Sequence, residues 1–132
     1  MKNYSLSREE RITSKKLFDR IYESGKTIYS KDKKLKVLFL YDPNSEKPGI
    51  KIATAVSKKA GKAVWRNRVK RLIKESYRLN KNVILPVVLR KEWLLYIIFS
   101  PYFLKESSDG VVLFEEIRTT VVELLNRIKN EF

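Results

Sequence analysis

The side chains with the most chemistry to offer lie in one stretch, Val56 to Arg78, which reads VSKKAGKAVWRNRVKRLIKESYR. Residues 58–78 carry nine basic side chains and a single acidic one, Glu75. Lys62, Arg66, Lys70 and Lys74 recur every four residues, so a helix would stack like charges along one line. Such pairs destabilise an isolated helix by about 0.2–0.5 kcal/mol each. A stretch that carries this repulsion is matched to an external polyanion, and a phosphate backbone is the usual one. Arginine sharpens the reading, because a guanidinium grips two phosphate oxygens or stacks on a base, which an ammonium cannot do. Asn67, between Arg66 and Arg68, adds a side chain that both donates and accepts.

The missing residue types narrow the chemistry further. The 132 residues include no Cys and no His, which excludes disulfides, thiolate metal sites, thiol nucleophiles and imidazole acid/base catalysis. Asp19, Glu23, Asp32 and Asp42 are scattered, without the paired-carboxylate spacing that clamps Mg²⁺. No catalytic residue and no metal ligand is nominated, and an independent nuclease is disfavoured. The formal charge is +14, from 29 Lys and Arg against 15 Asp and Glu. More than half of that excess lies in residues 58–78, whereas residues 105–132 are slightly acidic. The charge is a localised footprint.

Several elements must position this footprint. The length suits one domain with one modest core, and 43% hydrophobic with 11% aromatic residues is too apolar for disorder. Residues 14–24 place Leu17, Phe18, Ile21 and Tyr22 on one helical face, and Gly25 stands where a helix stops. Residues 27–31 read as a short edge strand and Leu35 to Tyr41 as a strand. The turn formers of Asp42 to Gly49, DPNSEKPG, read as a hairpin loop. Ile50 to Ser57 alternates as a second long strand. The main helix runs over about residues 62–80, with Trp65, Val69, Leu72, Ile73 and Ser76 on its core stripe. Pro86 is expected to break any regular element in residues 81–91. Trp93 to Ser100 reads as a buried strand ended by Pro101, SSDG at 107–110 as a loop, and Val112 to Lys129 as the last helix. The order is α-β-β-β-α-β-α, an α+β single domain over residues 1–132.

The polar N-terminus, MKNYSLSREERITSKK, has no apolar targeting core. The longest apolar run, Trp93 to Phe99, falls far short of the ~20 residues that span a bilayer. A cytoplasmic protein with no membrane partner is the expectation. A phosphate-binding loop around Gly61-Lys62 fails, since Val56 stands where the motif needs Gly and Ala63 where it needs Ser or Thr. No helix-turn-helix pairing precedes the basic helix, so DNA is not the expected partner. The apolar side of that helix is needed for the sheet, which argues against a membrane-surface helix. A ribosomal-type structural RNA-binding protein stays open on composition and charge alone.

The run from Lys59-Ala60-Gly61-Lys62-Ala63-Val64-Trp65 through Arg66-Asn67-Arg68-Val69-Lys70-Arg71 resembles the signature K-x-G-x-A-V-x-R-N-R-x-K-R. That signature belongs to the bacterial ribonuclease P protein component. The Leu6 region, the Phe18–Ile21–Tyr22–Gly25 pattern and the strand before Ser57-Lys58-Lys59 fall where that family has them. Residues 81–91 match it less closely. The chain departs from the pattern at Lys62, often Asn in the family, at Ala53, often Gly, and at Ser100, where a basic residue is common.

The resemblance implies an α/β sandwich like the second domain of ribosomal protein S5, with a left-handed β-α-β crossover around the basic helix, against the usual rule. It implies the protein subunit of a ribonucleoprotein that removes the 5′ leader of precursor tRNA. The RNA subunit then holds the Mg²⁺ and performs the hydrolysis. Lys62, Arg66, Asn67, Arg68, Lys70, Arg71 and Lys74 would face that catalytic RNA. Phe18, Tyr22 and Phe39 would line a cleft for the leader, with Ser57, Lys58 and Lys59 on its backbone. Stacking on aromatic rings tolerates any base identity, which suits a protein that meets many leaders. The same aromatic spacing also suits a core, and only the resemblance favours the cleft.

Overall fold

Leu94–Pro101 (β4) is apolar at every position from Leu94 to Phe99, and all of these side chains are buried. Such a strand needs cover on both faces and a neighbour at both edges. The computed structural model, which describes residues 6–106 and 111–132, gives it both. With β1 at Lys26–Tyr29, β2 at Leu35–Asp42 and β3 at Gly49–Thr54, the sheet order is β1-β2-β4-β3. β4 pairs antiparallel with β2, from Leu35↔Pro101 to Asp42↔Leu94, and parallel with β3, from Gly49↔Leu94 to Thr54↔Phe99. The segment DPNSEKPG therefore does not close a hairpin: β4, the most apolar strand, takes the place between β2 and β3. The loop expected at 107–110 lies outside the described residues.

Alternation assigns the faces. Leu35, Val37, Phe39, Ile50, Ile52, Leu95, Ile97 and Phe99 form the main core with helix α2 (Ala63–Asn80) and helix α4 (Phe114–Lys129). The opposite face presents Ala53, Leu94, Tyr96 and Ile98, which pack with Ile12 and with Ile21 of helix α1 (Lys15–Ser24). α1 is capped by Ser14, whose Oγ accepts from Leu17 N–H at 3.3 Å. Its end is set by a close approach: a Cβ on Gly25 would lie 2.5 Å from the Ile21 carbonyl oxygen and 3.1 Å from that of Phe39. Ten residues of α1 leave much of this face bare around Thr27, Tyr29, Lys36 and Ser100.

Pro86 does not break structure as expected. It sits in the first turn of a short helix, α3 (Leu85–Arg90), where its missing N–H has no helical partner to lose. The order is thus α-β-β-β-α-α-β-α, an α+β domain with one helix more than the sequence reading predicts. β3 also ends earlier, at Thr54, and a 3₁₀ turn at Lys58–Ala60 leads into α2.

A carboxylate network fixes the β1–β2 turn. Asp32 accepts from Ser30 Oγ at 2.6 Å, from Lys34 N–H at 2.9 Å and from Thr120 Oγ1 of α4. Partial burial opposes ionisation of Asp32, but these hydrogen bonds and the Lys34 charge outweigh it and hold the carboxyl below its ordinary range. Glu116 is held low by Lys34 and by Leu113 N–H. Glu10 is held low because Lys81 and Ser7 overcome the effect of its burial. The unfolded chain, with ordinary carboxyl groups, takes up protons first as pH falls. The stabilisation is full above the ordinary carboxylate range and is lost as pH drops through the lowered folded values. Urea unfolding should show the midpoint falling over that acid window, with Asp32→Asn both less stable at neutral pH and less pH-dependent. A flat midpoint through the window would refute the network's role.

Candidate nucleic-acid interface

α2 forms despite its charge because its apolar stripe outweighs the repulsion. Trp65, Val69, Leu72, Ile73 and Tyr77 are all buried, each worth about 1.5–3 kcal/mol against a few tenths for each like-charge pair. Its first turn has no acidic residue and no side-chain cap of its own. Glu106, from the segment after β4, supplies the cap: its Oε1 accepts from Lys62 N–H at 2.8 Å, and its own N–H donates to Ala60 O at 2.7 Å. Gly61 permits this approach, since a Cβ there would lie 2.7 Å from Glu106 Cβ and 2.8 Å from Trp65 Cε3.

The cations of α2 divide into two groups. Arg66 Nε donates to Gly61 O at 3.0 Å, and Arg68 donates through Nη2 and Nε to Val112 O at 2.8 and 3.2 Å. Arg68 thereby ties α2 to the segment that enters α4. Lys70, Arg71 and Lys74 make no hydrogen bond or ion pair among the described residues, and Asn67 and Arg71 are exposed. Glu75, Glu10, Glu116 and Glu123 pair instead with Arg78, Lys81, Lys34 and Arg127.

The bare part of the sheet is concave. Tyr22, Lys36, Thr54, Ser57, Lys70 and Ser100 are among the residues that line a cavity of about 480 Å³. Tyr22, Lys36 and Ser100 also border a smaller hollow of about 170 Å³ that reaches Thr27 and Tyr29. Ser57 and Pro101 continue the groove into a third hollow of about 440 Å³, which adds Lys59, Tyr102, Phe103 and Lys105. The result is one trough walled by lysines and aromatic rings, open to solvent, with hydroxyls from Ser57, Thr54 and Ser100 along it. Ser57 Oγ accepts from Lys59 N–H at 3.1 Å, and its own hydroxyl hydrogen remains to donate.

A family model described as Ribonuclease P matches residues 6–129. The chain belongs to the ribonuclease P protein family. The ribonuclease P protein component of Clostridium novyi is 43% identical over 122 residues, which span 92% of this chain and 96% of that one. The component from Clostridium acetobutylicum is 45% identical over 75 residues, covering 57% of this chain and 60% of that protein. Among solved structures, the RNase P protein from Thermotoga maritima superposes with a TM-score of 0.70 at 28% identity, covering 89% of this chain and 96% of that one.

Against this ribonuclease P fold, the residues expected at the two surfaces sort as follows. Tyr22, 56% exposed, and Ser57 and Lys59 share the trough. Lys58 is exposed on the turn beside them. Phe18 lies on the same face of the sheet but is half-buried, packed against the α1 cluster. Phe39 is not in the trough: it is 4% exposed and belongs to the main core on the other face. Strand alternation decides this, because Lys36, Leu38 and Leu40 are the β2 residues that turn toward α1. Lys62, Asn67 and Arg71 are exposed on α2, with Arg66, Arg68, Lys70 and Lys74 half-buried at its flanks. Lys70 reaches the trough as well, so the two surfaces meet there.

Sequence reasoning missed Lys36, Tyr29, Tyr102, Phe103 and Lys105. The aromatic pair Tyr102-Phe103 after Pro101, outside any apolar periodicity, was a signal for two of them.

Arg68→Ala should lower stability by about 1–2 kcal/mol through the lost bonds to Val112 O, whereas Arg71→Ala should stay within about 0.5 kcal/mol of the parent. Urea unfolding of both variants tests this, and equal stabilities would contradict the tether.

Proposed function

We propose that this chain is the protein subunit of a ribonuclease P ribonucleoprotein, acting in the cytoplasm on precursor tRNA. The cation-bearing faces of α2 bind the catalytic RNA, and the trough holds the single-stranded 5′ leader during its endonucleolytic removal. The observation that carries the reading is the meeting of two unlike surfaces at Lys70 and Ser57. One is the α2 flank of Lys70, Arg71 and Lys74, which have no partner among the described residues; the other is an aromatic-and-lysine groove wide open to solvent. The first suits a duplex-rich phosphate surface, which offers charge at fixed spacing. The second suits an unpaired strand, whose bases stack on rings while its phosphates meet ammonium groups.

The hydrolysis belongs to the RNA in this reading, with Mg²⁺ held mainly there. Among the described residues no three His, Cys, Asp or Glu side chains gather into a group that could hold a metal ion. Neither does any helix among them have the length and apolar character to cross a membrane. The part left to the chain is electrostatic and positional. It screens the meeting of two polyanions and holds the leader in register with the RNA's cleavage site.

The test is cleavage of a precursor tRNA at low Mg²⁺ by a bacterial ribonuclease P RNA alone, by this protein alone, and by both together. Processing in the mixture only is the expected result. Activity of the protein alone, or no gain over RNA alone despite intact RNA binding, would overturn the assignment. Binding to the RNA should weaken steeply with salt, and Lys74→Ala should flatten the log–log slope by about 0.7–0.9. An unchanged slope would remove Lys74 from the interface.

A further inference from the structure

The trough does not end where α1 ends. Beyond Ser57 and Pro101 it opens onto Tyr102 and Phe103, in series with Tyr29 of the smaller hollow: Tyr29 lies 4.6 Å from Tyr102 at a tilt of 48°, and Tyr102 stacks on Phe103 at 4.3 Å with an interplanar angle of 12°. These rings stay well exposed, at 47% for Tyr29, 41% for Tyr102 and 62% for Phe103. A ring left this open adds little to the core, and three together form an apolar patch of the kind that marks an interaction site.

The backbone of the ladder is also anchored. Tyr102 N–H donates to Lys34 O at 2.8 Å and Phe103 N–H to Lys33 O at 2.9 Å, so residues 102 and 103 prolong the pairing of β4 onto the β1–β2 turn. That turn is in turn fixed by the Asp32 network. The backbone that carries Tyr102 and Phe103 is thus anchored to the turn. Lys33 Nζ stands 5.8 Å from the centre of the Phe103 ring, and Lys59 and Lys105 line the hollow beside the ladder. Aromatic faces bordered by ammonium groups complement an unpaired nucleic-acid strand; an apolar peptide would leave those charges unanswered.

We propose that the Tyr29–Tyr102–Phe103 ladder is a second stacking site, which takes a further base of the same single-stranded leader that passes Tyr22. This rests on the reading of the trough as the leader's path. Phe103, the end of the ladder, receives the base, and Lys33 moves from the ring to the adjoining phosphate. Tyr102 supports Phe103 from behind, and Tyr29 leans against Tyr102 at a tilt of 48°.

The experiment uses the holoenzyme reconstituted with a bacterial ribonuclease P RNA and a series of substrates with leaders of graded length, starting from leaderless tRNA. Phe103→Ala, Tyr22→Ala and Phe103→Trp are compared with the parent for substrate affinity. Phe103→Ala should weaken binding about 5-fold or more once the leader is long enough, and leave leaderless tRNA unaffected. Its penalty should set in at a different leader length from that of Tyr22→Ala, and Phe103→Trp should restore affinity. If Phe103→Ala is neutral at every length while Tyr22→Ala remains leader-dependent, the ladder proposal falls and the trough reading stands. If both are neutral at every length, the trough reading itself fails. A Phe103→Ala penalty on leaderless tRNA would assign the ladder to another RNA surface and overturn the proposal.

Discussion

The burial of β4 on both faces is the constraint from which the rest follows. Leu95, Ile97 and Phe99 need the α2–α4 layer, and Leu94, Tyr96 and Ile98 need α1 and the segment before it. A strand so placed is central, which sends β2 and β3 to opposite sides of it and makes β3–β4 a parallel pair. Parallel neighbours require a crossover, and that crossover carries α2. The basic helix therefore starts just past the end of β3, on the same side of the sheet as the end of β4. Ser57, Lys70, Ser100 and Pro101 come together there for topological reasons, although they are far apart in the chain.

Charge follows the same division. Acidic side chains are placed where they fix structure: Asp32 and Glu116 on the turn and the start of α4, Glu10 with Lys81, Glu106 at the start of α2. Lys70, Arg71 and Lys74 of α2 are left without a partner among the described residues. The repulsion among them costs a few tenths of a kcal/mol per pair, small beside the burial of the α2 stripe, so the fold tolerates it. A bound polyanion relieves it and releases its own counterions. The same surplus that slightly strains the free protein thus becomes part of its affinity.

Much of this was legible in the chain. The period of 3.6 in Trp65, Val69, Leu72, Ile73 and Ser76 gave α2 its buried side, and all five are buried. Ile117, Val121, Leu124, Leu125 and Ile128 recur with the same period, and α4 buries all five. The order of strands was not legible, because alternation tells which residues share a face and not which strand lies alongside. Phe39 went astray for that reason: Val37 to Tyr41 is apolar throughout, and which set turns toward α1 is a tertiary fact. Arg68 was read as a cation for RNA, and its bond to Val112 O joins segments that no local pattern connects. Pro86 reads as a breaker in isolation and becomes a helix starter once the chain turns just before it.

In the proposed function α2 meets the RNA subunit while the trough meets the leader. A chain without cysteine allows a direct test, since one introduced thiol is the sole attachment point for a photo-crosslinker. Arg71→Cys and Tyr22→Cys, each labelled and reconstituted with ribonuclease P RNA and precursor tRNA, place a probe on either surface. The Arg71 position should cross-link to the RNA subunit with or without substrate, and the Tyr22 position to leader nucleotides only when precursor is present. Cross-links from Tyr22 to the RNA subunit alone, or from Arg71 to the leader alone, would contradict the division of labour on which the account stands.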